Sequence, residues 1–96
     1  MTRAELTAVI AQRFAGLGYQ DADLAVKLIL ETIARTLSQG GRVEIRGFGT
    51  FGLNYRRARI ARNPKTGEKV PVAGRYLPHF KAGKALREAV EGSWDR

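Results

Sequence analysis

The sequence has no cysteine, one histidine, one tryptophan and only nine acidic residues in 96. Without cysteine there is neither a disulfide framework nor a thiolate metal site, which suits a reducing cytoplasm and leaves packing alone to hold the fold. His79 has no cysteine and no converging carboxylates near it in sequence, so no triad, dyad or metal-ligand spacing can be assembled around it; it reads as a structural group or a phosphate contact. No run approaches the roughly 18 consecutive apolar residues of a membrane-spanning helix, and the first residues alternate polar with apolar instead of forming a charged segment and an apolar core. The expectation is a soluble, cytoplasmic chain that is not an enzyme, takes no cofactor or metal and acts on no small-molecule substrate. No repeat period is present, and 44% hydrophobic with 27% charged residues is an ordinary globular composition, which excludes wholesale disorder.

What the chain has in excess is positive charge, and it is focused. The formal net charge is +8. Residues 1–41 balance four basic against four acidic side chains, and 77–96 hold four against three. Between them Arg42, Arg46, Arg56, Arg57, Arg59, Arg62, Lys65, Lys69 and Arg75 face only Glu44 and Glu68, so seven of the eight net charges lie in residues 42–76. A cationic stripe interleaved with Gly, Asn, Pro and Tyr points to a polyanion, with a solvated face as the plain alternative.

The pattern of elements predicts one α+β domain. Thr2 and Glu5 form a capping box, and Leu6, Val9, Ile10, Ala11 and Phe14 repeat at helical spacing until Gly16 and Gly18, giving a helix over 3–15. Asp21 offers the N-cap of a second helix over 22–39, with an apolar face of Leu24, Ala25, Leu28, Ile29, Ile33, Thr36 and Leu37, ended by Gly40 and Gly41. Arg42 to Arg46 alternates as a half-buried strand, and a second strand begins near Thr50 after a Gly-Phe-Gly turn. The apolar face vanishes in Arg56 to Arg62, so 55–76 reads as an exposed two-stranded ribbon turning at Asn63 to Gly67; Pro71 bars its strand from a sheet centre. Pro78 is expected to end the ribbon, Lys81 to Val90 to form a short third helix, and 91–96 to be a frayed polar tail.

Removing ribbon and tail leaves about 70 residues, a thin core for one chain. Ile33, Leu37, Phe48, Phe51 and Phe80 exceed what that core covers, so a symmetric dimer presenting two ribbons is expected.

Three motifs carry competing readings. Gly47-Phe48-Gly49-Thr50-Phe51-Gly52 matches a dinucleotide fingerprint in letters, but Leu53-Asn54-Tyr55 continues as strand where a helix must open, so a tight turn is the better reading. Pro64, flanked by Arg62 and Lys65 at the end of a cationic arm, reads either as a turn initiator or as a wedge between base steps. Arg42, Glu44 and Arg46 read either as a solvated ladder or as a groove-reading Arg46 whose orientation Glu44 fixes. An RNA-binding protein of the ribosomal type is a distant alternative, because the phenylalanines read as buried instead of displayed for stacking. Membrane association is weaker still, since the cations lie on a ribbon and not on an amphipathic helix.

The element order, together with Arg46-Gly47-Phe48-Gly49-Thr50-Phe51, Arg62-Asn63-Pro64-Lys65-Thr66-Gly67 and Pro78-His79-Phe80-Lys81-Ala82-Gly83-Lys84, resembles the HU/IHF family of bacterial nucleoid proteins from Thr2 to about Val90. Glu44 to Gly49, Tyr55-Arg56, Tyr76 and Pro78 to Lys81 are most similar to the beta-type subunits of integration host factor, which pair with a distinct alpha-type chain. That family is itself a known example of minor-groove wedging, and the resemblance implies the role here. It implies an α+β fold over 1–90: a helical hairpin, a three-stranded antiparallel sheet, a long ribbon arm and a short C-terminal helix. It also implies an intertwined dimer, with an alpha-type subunit or with itself, cored by Ile33, Leu37, Phe48, Phe51 and Phe80. The implied function is to bind the minor groove of double-stranded DNA and bend it in the bacterial nucleoid, serving recombination and the regulation of transcription and translation. Pro64 would intercalate; Arg56, Arg57, Arg59, Arg62, Asn63, Lys65, Lys69 and Arg75 would line the arm; Arg42, Glu44 and Arg46 would set site preference. Helix N-termini with Arg3, Lys27, Lys81 and Lys84 would meet flanking phosphates. Arg57, Ala58 and Ala61 depart from the beta-type arm, and Ala82 to Leu86 is closer to HU, whose homodimers bind without sequence preference.

Overall fold

The computed structural model describes residues 1–94. Helix α1 spans Arg3–Arg13 and α2 spans Tyr19–Ser38. Strands β1 (Val43–Ile45), β2 (Gly49–Arg56), β3 (Arg59–Arg62), β4 (Lys69–Val72) and β5 (Arg75–Ala82) follow, and α3 (Lys84–Trp94) ends the described chain. The order is that of the predicted α+β fold.

At the start of α1 the Thr2 hydroxyl accepts from the Glu5 N–H at 3.2 Å while the Thr2 N–H reaches the Glu5 carboxylate at 3.3 Å, so the capping box is complete. The helix stops at Arg13, two residues short of the expectation, because Phe14 turns to an extended backbone while its N–H still bonds the Ile10 carbonyl. Asp21 is not the cap of α2. Gly18 takes that place, accepting from the Ala22 N–H at 3.0 Å, and Asp21 falls within the first turn, where its charge complements the positive end of the helix. At the other end the Gly41 N–H bonds the Thr36 carbonyl and the Gly40 N–H bonds Leu37, a full Schellman closure.

The closure and the following turn shorten β1 to three residues. Arg42 precedes the strand, and the Phe48 N–H bonds the Ile45 carbonyl at 2.9 Å, which puts Arg46 in a turn instead of on the expected strand face. The Gly-Phe-Gly segment then opens a strand and not a helix, which removes the dinucleotide reading.

β1, β2 and β5 form an antiparallel sheet in that order, and β3 and β4 form a separate two-stranded sheet. Pro78 does not end the ribbon; it sits inside β5 opposite Leu53, tolerated because β5 is an edge strand. Lys81 and Ala82 likewise pair with Thr50 and Gly49, so the third helix starts three residues later than expected. It starts there because the Gly83 N–H is held by the Phe48 carbonyl while the Gly83 carbonyl accepts the Arg87 N–H. The helix runs on through Glu91 to Trp94, so the frayed tail expected from residue 91 is helical that far; Asp95 and Arg96 lie outside the described residues.

The molecule is long: its radius of gyration is 19.1 Å with extents of 59 × 37 × 29 Å, against about 12.5 Å for a compact domain of this length. Among the described residues Ala22 and Val26 are the buried apolar side chains, and Leu24, Leu28, Ile29 and Leu30 of α2 remain exposed. A broad groove between α2 and the sheet is lined by Leu30, Ile33, Leu37, Phe51 and Leu53.

Candidate nucleic-acid interface

Register decides which side chains share a face. In β1–β2–β5 the rows Glu44–Thr50–Lys81, Gly52–His79, Asn54–Leu77 and Arg56–Arg75 lie on one side. The rows Val43–Phe51–Phe80, Leu53–Pro78 and Tyr55–Tyr76 lie on the other. The sheet is therefore amphipathic. Phe80 packs against Phe51 at 4.7 Å and Phe48 at 5.3 Å between ring centroids, and Phe48 is still 43% exposed. With Ile33 and Leu37 in the groove, all five residues expected in a dimer core lie on or beside apolar surface that this chain leaves partly uncovered.

The arm carries the charge. Arg56 ends β2, Arg57 lies between the two sheets, Arg59 and Arg62 are on β3, Lys69 is on β4 and Arg75 opens β5. Arg56 stands directly opposite Arg75, and Arg62 opposite Lys69. Like charges in such pairs oppose strand pairing. Among the described residues none of these cations, nor Lys65 at the tip, forms an ion pair; Arg62 donates instead to the Gly67 carbonyl at 3.3 Å.

The tip is tightly built. The Asn63 carboxamide accepts from the Lys65 N–H at 2.9 Å, the Gly67 N–H bonds the Asn63 carbonyl at 2.7 Å, and the Asn63 N–H bonds the Glu68 carbonyl at 2.9 Å. Gly67 has φ of 74°, the left-handed region in which glycine is at ease. Asn63 is thereby half-buried, and Pro64 is held between it and Lys65 as an exposed, rigid apolar corner at the end of the arm.

The body cations behave differently. Arg3 contacts Asp23 at 3.4 Å, Lys27 contacts Glu31 at 3.9 Å and Lys84 contacts Glu88 at 3.8 Å, while Lys81 is exposed beside His79 on the polar sheet face. Glu44 pairs with Arg42, not with Arg46. Arg46 stands exposed in the turn, without an ion pair among the described residues. What sequence reasoning passed over is the aromatic pair at the root of the arm, Tyr55 against Tyr76 at 4.9 Å; its signal was the cross-strand spacing of the two tyrosines. No group of three or more potential metal ligands occurs among the described residues, and no described helix is long and apolar enough to cross a membrane.

Comparison with known proteins agrees with this architecture. The model of the family described as bacterial DNA-binding protein matches residues 1–91. Integration host factor subunit beta of Nitrosospira multiformis is 60% identical over 91 residues, covering 95% of this chain and 97% of its own, and that of Burkholderia multivorans is 58% identical over 92 residues, covering 96% and 86%. Among solved structures, the Anabaena HU–DNA cocrystal structure superposes with a TM-score of 0.86 at 40% identity, covering 94% of this chain and 97% of that one. HU from Thermotoga maritima gives 0.64 at 33% identity, covering 94% and 98%. A chain so matched along nearly its whole length, in sequence and in backbone, belongs to the bacterial DNA-binding protein family.

Proposed function

We propose that this chain is an architectural DNA-binding protein that grips double-stranded DNA by its minor groove and bends it, with no catalytic step. Its place is the cytoplasmic nucleoid, where a bend serves recombination and the control of transcription and translation. The observation that carries this reading is the arm: cations set directly opposite one another, Arg56 against Arg75 and Arg62 against Lys69, without carboxylate partners among the described residues. A phosphate backbone relieves that repulsion by supplying the counter-charge.

In this reading the arm follows the groove, Pro64 enters between base steps and makes a kink, and Asn63 and Lys65 hold the tip against the sugar-phosphate edge. Lys81 offers an immediate phosphate contact. Arg3, Lys27 and Lys84 exchange their acidic partners for phosphates, and Arg46, without an ion pair among the described residues, sets site preference with Arg42 and Glu44 at its flank. The exposed apolar surface of α2 and of the sheet supports a dimer, with an alpha-type integration host factor subunit or a second copy. In this reading residues 1–90 make the DNA-binding unit, with the arm at 55–76 and a polar tail over 91–96; the family match over 1–91 supports that extent.

The fit to an HU–DNA complex favours a second reading, an HU-like homodimer with little sequence preference. Binding to duplex DNA across a salt series, with structured RNA as competitor, tests both against the distant RNA-binding alternative. Log affinity for duplex is expected to fall linearly with log salt by about 0.9 per phosphate contacted. A flat profile, or a preference for RNA, overturns the reading.

A further inference from the structure

The arm is not a separate sheet by register. Arg56 pairs with Arg75 and Arg59 with Val72, so the residues left unpaired, Arg57 and Ala58 on one strand and Ala73 and Gly74 on the other, would face each other in an unbroken ladder. Asn63 and Glu68 at the tip keep the same register. Nothing is inserted or deleted; the hydrogen-bonded ladder is simply interrupted over two residues per strand. A shift of register does not explain the interruption, so something local holds it open.

Gly74 and Tyr55 occupy that place. A Cβ built on Gly74 would overlap the Tyr55 hydroxyl, and would also lie 2.9 Å from the ring carbon bearing it and 3.2 Å from the Ala58 nitrogen. Gly74 does not have a positive φ, so its backbone is one that alanine adopts freely. The tyrosine is the chief obstacle to a side chain there, since the Ala58 nitrogen would have to give by only a few tenths of an ångström. The ring also packs against Tyr76, at 4.9 Å between centroids and an interplanar angle of 59°. Tyr55 therefore reaches from the body sheet, where it packs on Tyr76, into the interruption, where its hydroxyl end is seated against Gly74.

We propose that Tyr55 is a positioning residue that sets the direction of the arm relative to the body, with Gly74 as the seat that lets it do so. The proposal rests on the architectural reading only for its consequence, the bend. Tyr55 need not touch DNA: by holding the interruption open it directs the arm, and with it Pro64, along one path. Tyr76 locks the ring, and the glycine's missing Cβ leaves the room the hydroxyl requires.

The test uses the full chain in its DNA-binding assembly. Because the sequence has no cysteine, spin labels go solely to two introduced sites, Gln12→Cys on α1 and Ile60→Cys on β3, both exposed. Labelled protein diluted in unlabelled protein reports the arm-to-body distance within one chain. Gly74→Ala is expected to shift that distance by displacing the tyrosine. Tyr55→Phe alone is expected to leave it near the parent value, and Tyr55→Phe with Gly74→Ala to return it part of the way, since the hydroxyl is the closest of the overlapping atoms. An unshifted Gly74→Ala, or a double variant no different from Gly74→Ala, overturns the proposal. Should Gly74→Ala fail to fold by circular dichroism, Tyr55→Ala carries the test: a broadened distance distribution supports the joint and an unchanged one overturns it. Duplex bending by the same variants separates the two claims. Gly74→Ala is expected to lower end-to-end transfer while affinity stays within about threefold of the parent, because every phosphate-neutralising cation is retained. A shifted arm with an unchanged bend upholds the joint and overturns its consequence, that the direction of the arm sets the bend; no bend with the parent protein counts against the bending function itself.

Discussion

Arg56 and Arg75 face each other across β2 and β5, the last pair of the body ladder before the arm, with no carboxylate among the described residues paired to either. Facing guanidinium groups weaken the strand pair they belong to. Replacing Arg75 by alanine is therefore expected to leave the free protein as stable or slightly more so, by up to about 1 kcal/mol on the scale of cross-strand pairs. The same change is expected to weaken DNA binding and lower the salt slope by about one phosphate contact. Urea denaturation and a salt titration of affinity measure the two effects. A destabilised protein with unaltered binding would mean the pair is a structural feature.

Pro64 stands exposed at the tip, and Asn63 holds the turn that presents it. Pro64→Ala is expected to reduce DNA bending more than affinity, because the arm cations remain while the wedge is lost. Asn63→Ala is expected to act in the same direction by loosening the tip. Equal losses of bending and affinity in Pro64→Ala would count against intercalation.

Gly49 is buried, and a Cβ there would lie 2.6 Å from the Lys81 carbonyl oxygen and 2.7 Å from Phe80 Cε1. Neither backbone nor a ring wedged between Phe48 and Phe51 yields cheaply. Gly49→Ala is expected to cost about 1–3 kcal/mol of stability, the usual range for overpacking. Thermal unfolding checks this, and a variant melting within a degree of the parent would show that the aromatic cluster adjusts freely.

The apolar surface left on α2, with Leu28 59% and Ile29 57% exposed, argues that folding and association are coupled. The melting temperature is expected to rise with protein concentration, as mass action requires when the folded state is the assembled one. A melting temperature constant over a hundredfold dilution, together with a monomeric mass, would contradict the dimer.

The elements readable from sequence were those with local chemistry. Thr2 and Glu5 announce a cap whatever surrounds them, and the 3.6-residue repeats of both helices and the turn chemistry of Asn63 to Gly67 are equally local. The misplacements arose where pairing overrides propensity. Pro78 marks a break by its own chemistry, but an edge position lets it remain in β5, and Lys81 and Ala82 follow it into the strand. Asp21 is a better cap than Gly18 by side chain, yet the backbone enters the helix at the glycine. Arg46 belongs to the alternation of β1 in letters but to the turn in space. The seat of Tyr55 on Gly74 was illegible because it depends on an atom that glycine lacks and on two strands whose register only the fold supplies.

The most direct measurement of the central claim is end-to-end fluorescence transfer on a duplex carrying an integration-host-factor-type site and on a scrambled duplex, with this chain alone and then with an alpha-type subunit. Bending is predicted in at least one assembly: confined to the specific duplex if Arg46 and its neighbours set site preference, equal on both if the chain is HU-like. Binding to both duplexes without a rise in transfer, in either assembly, would contradict an arm built to bend DNA.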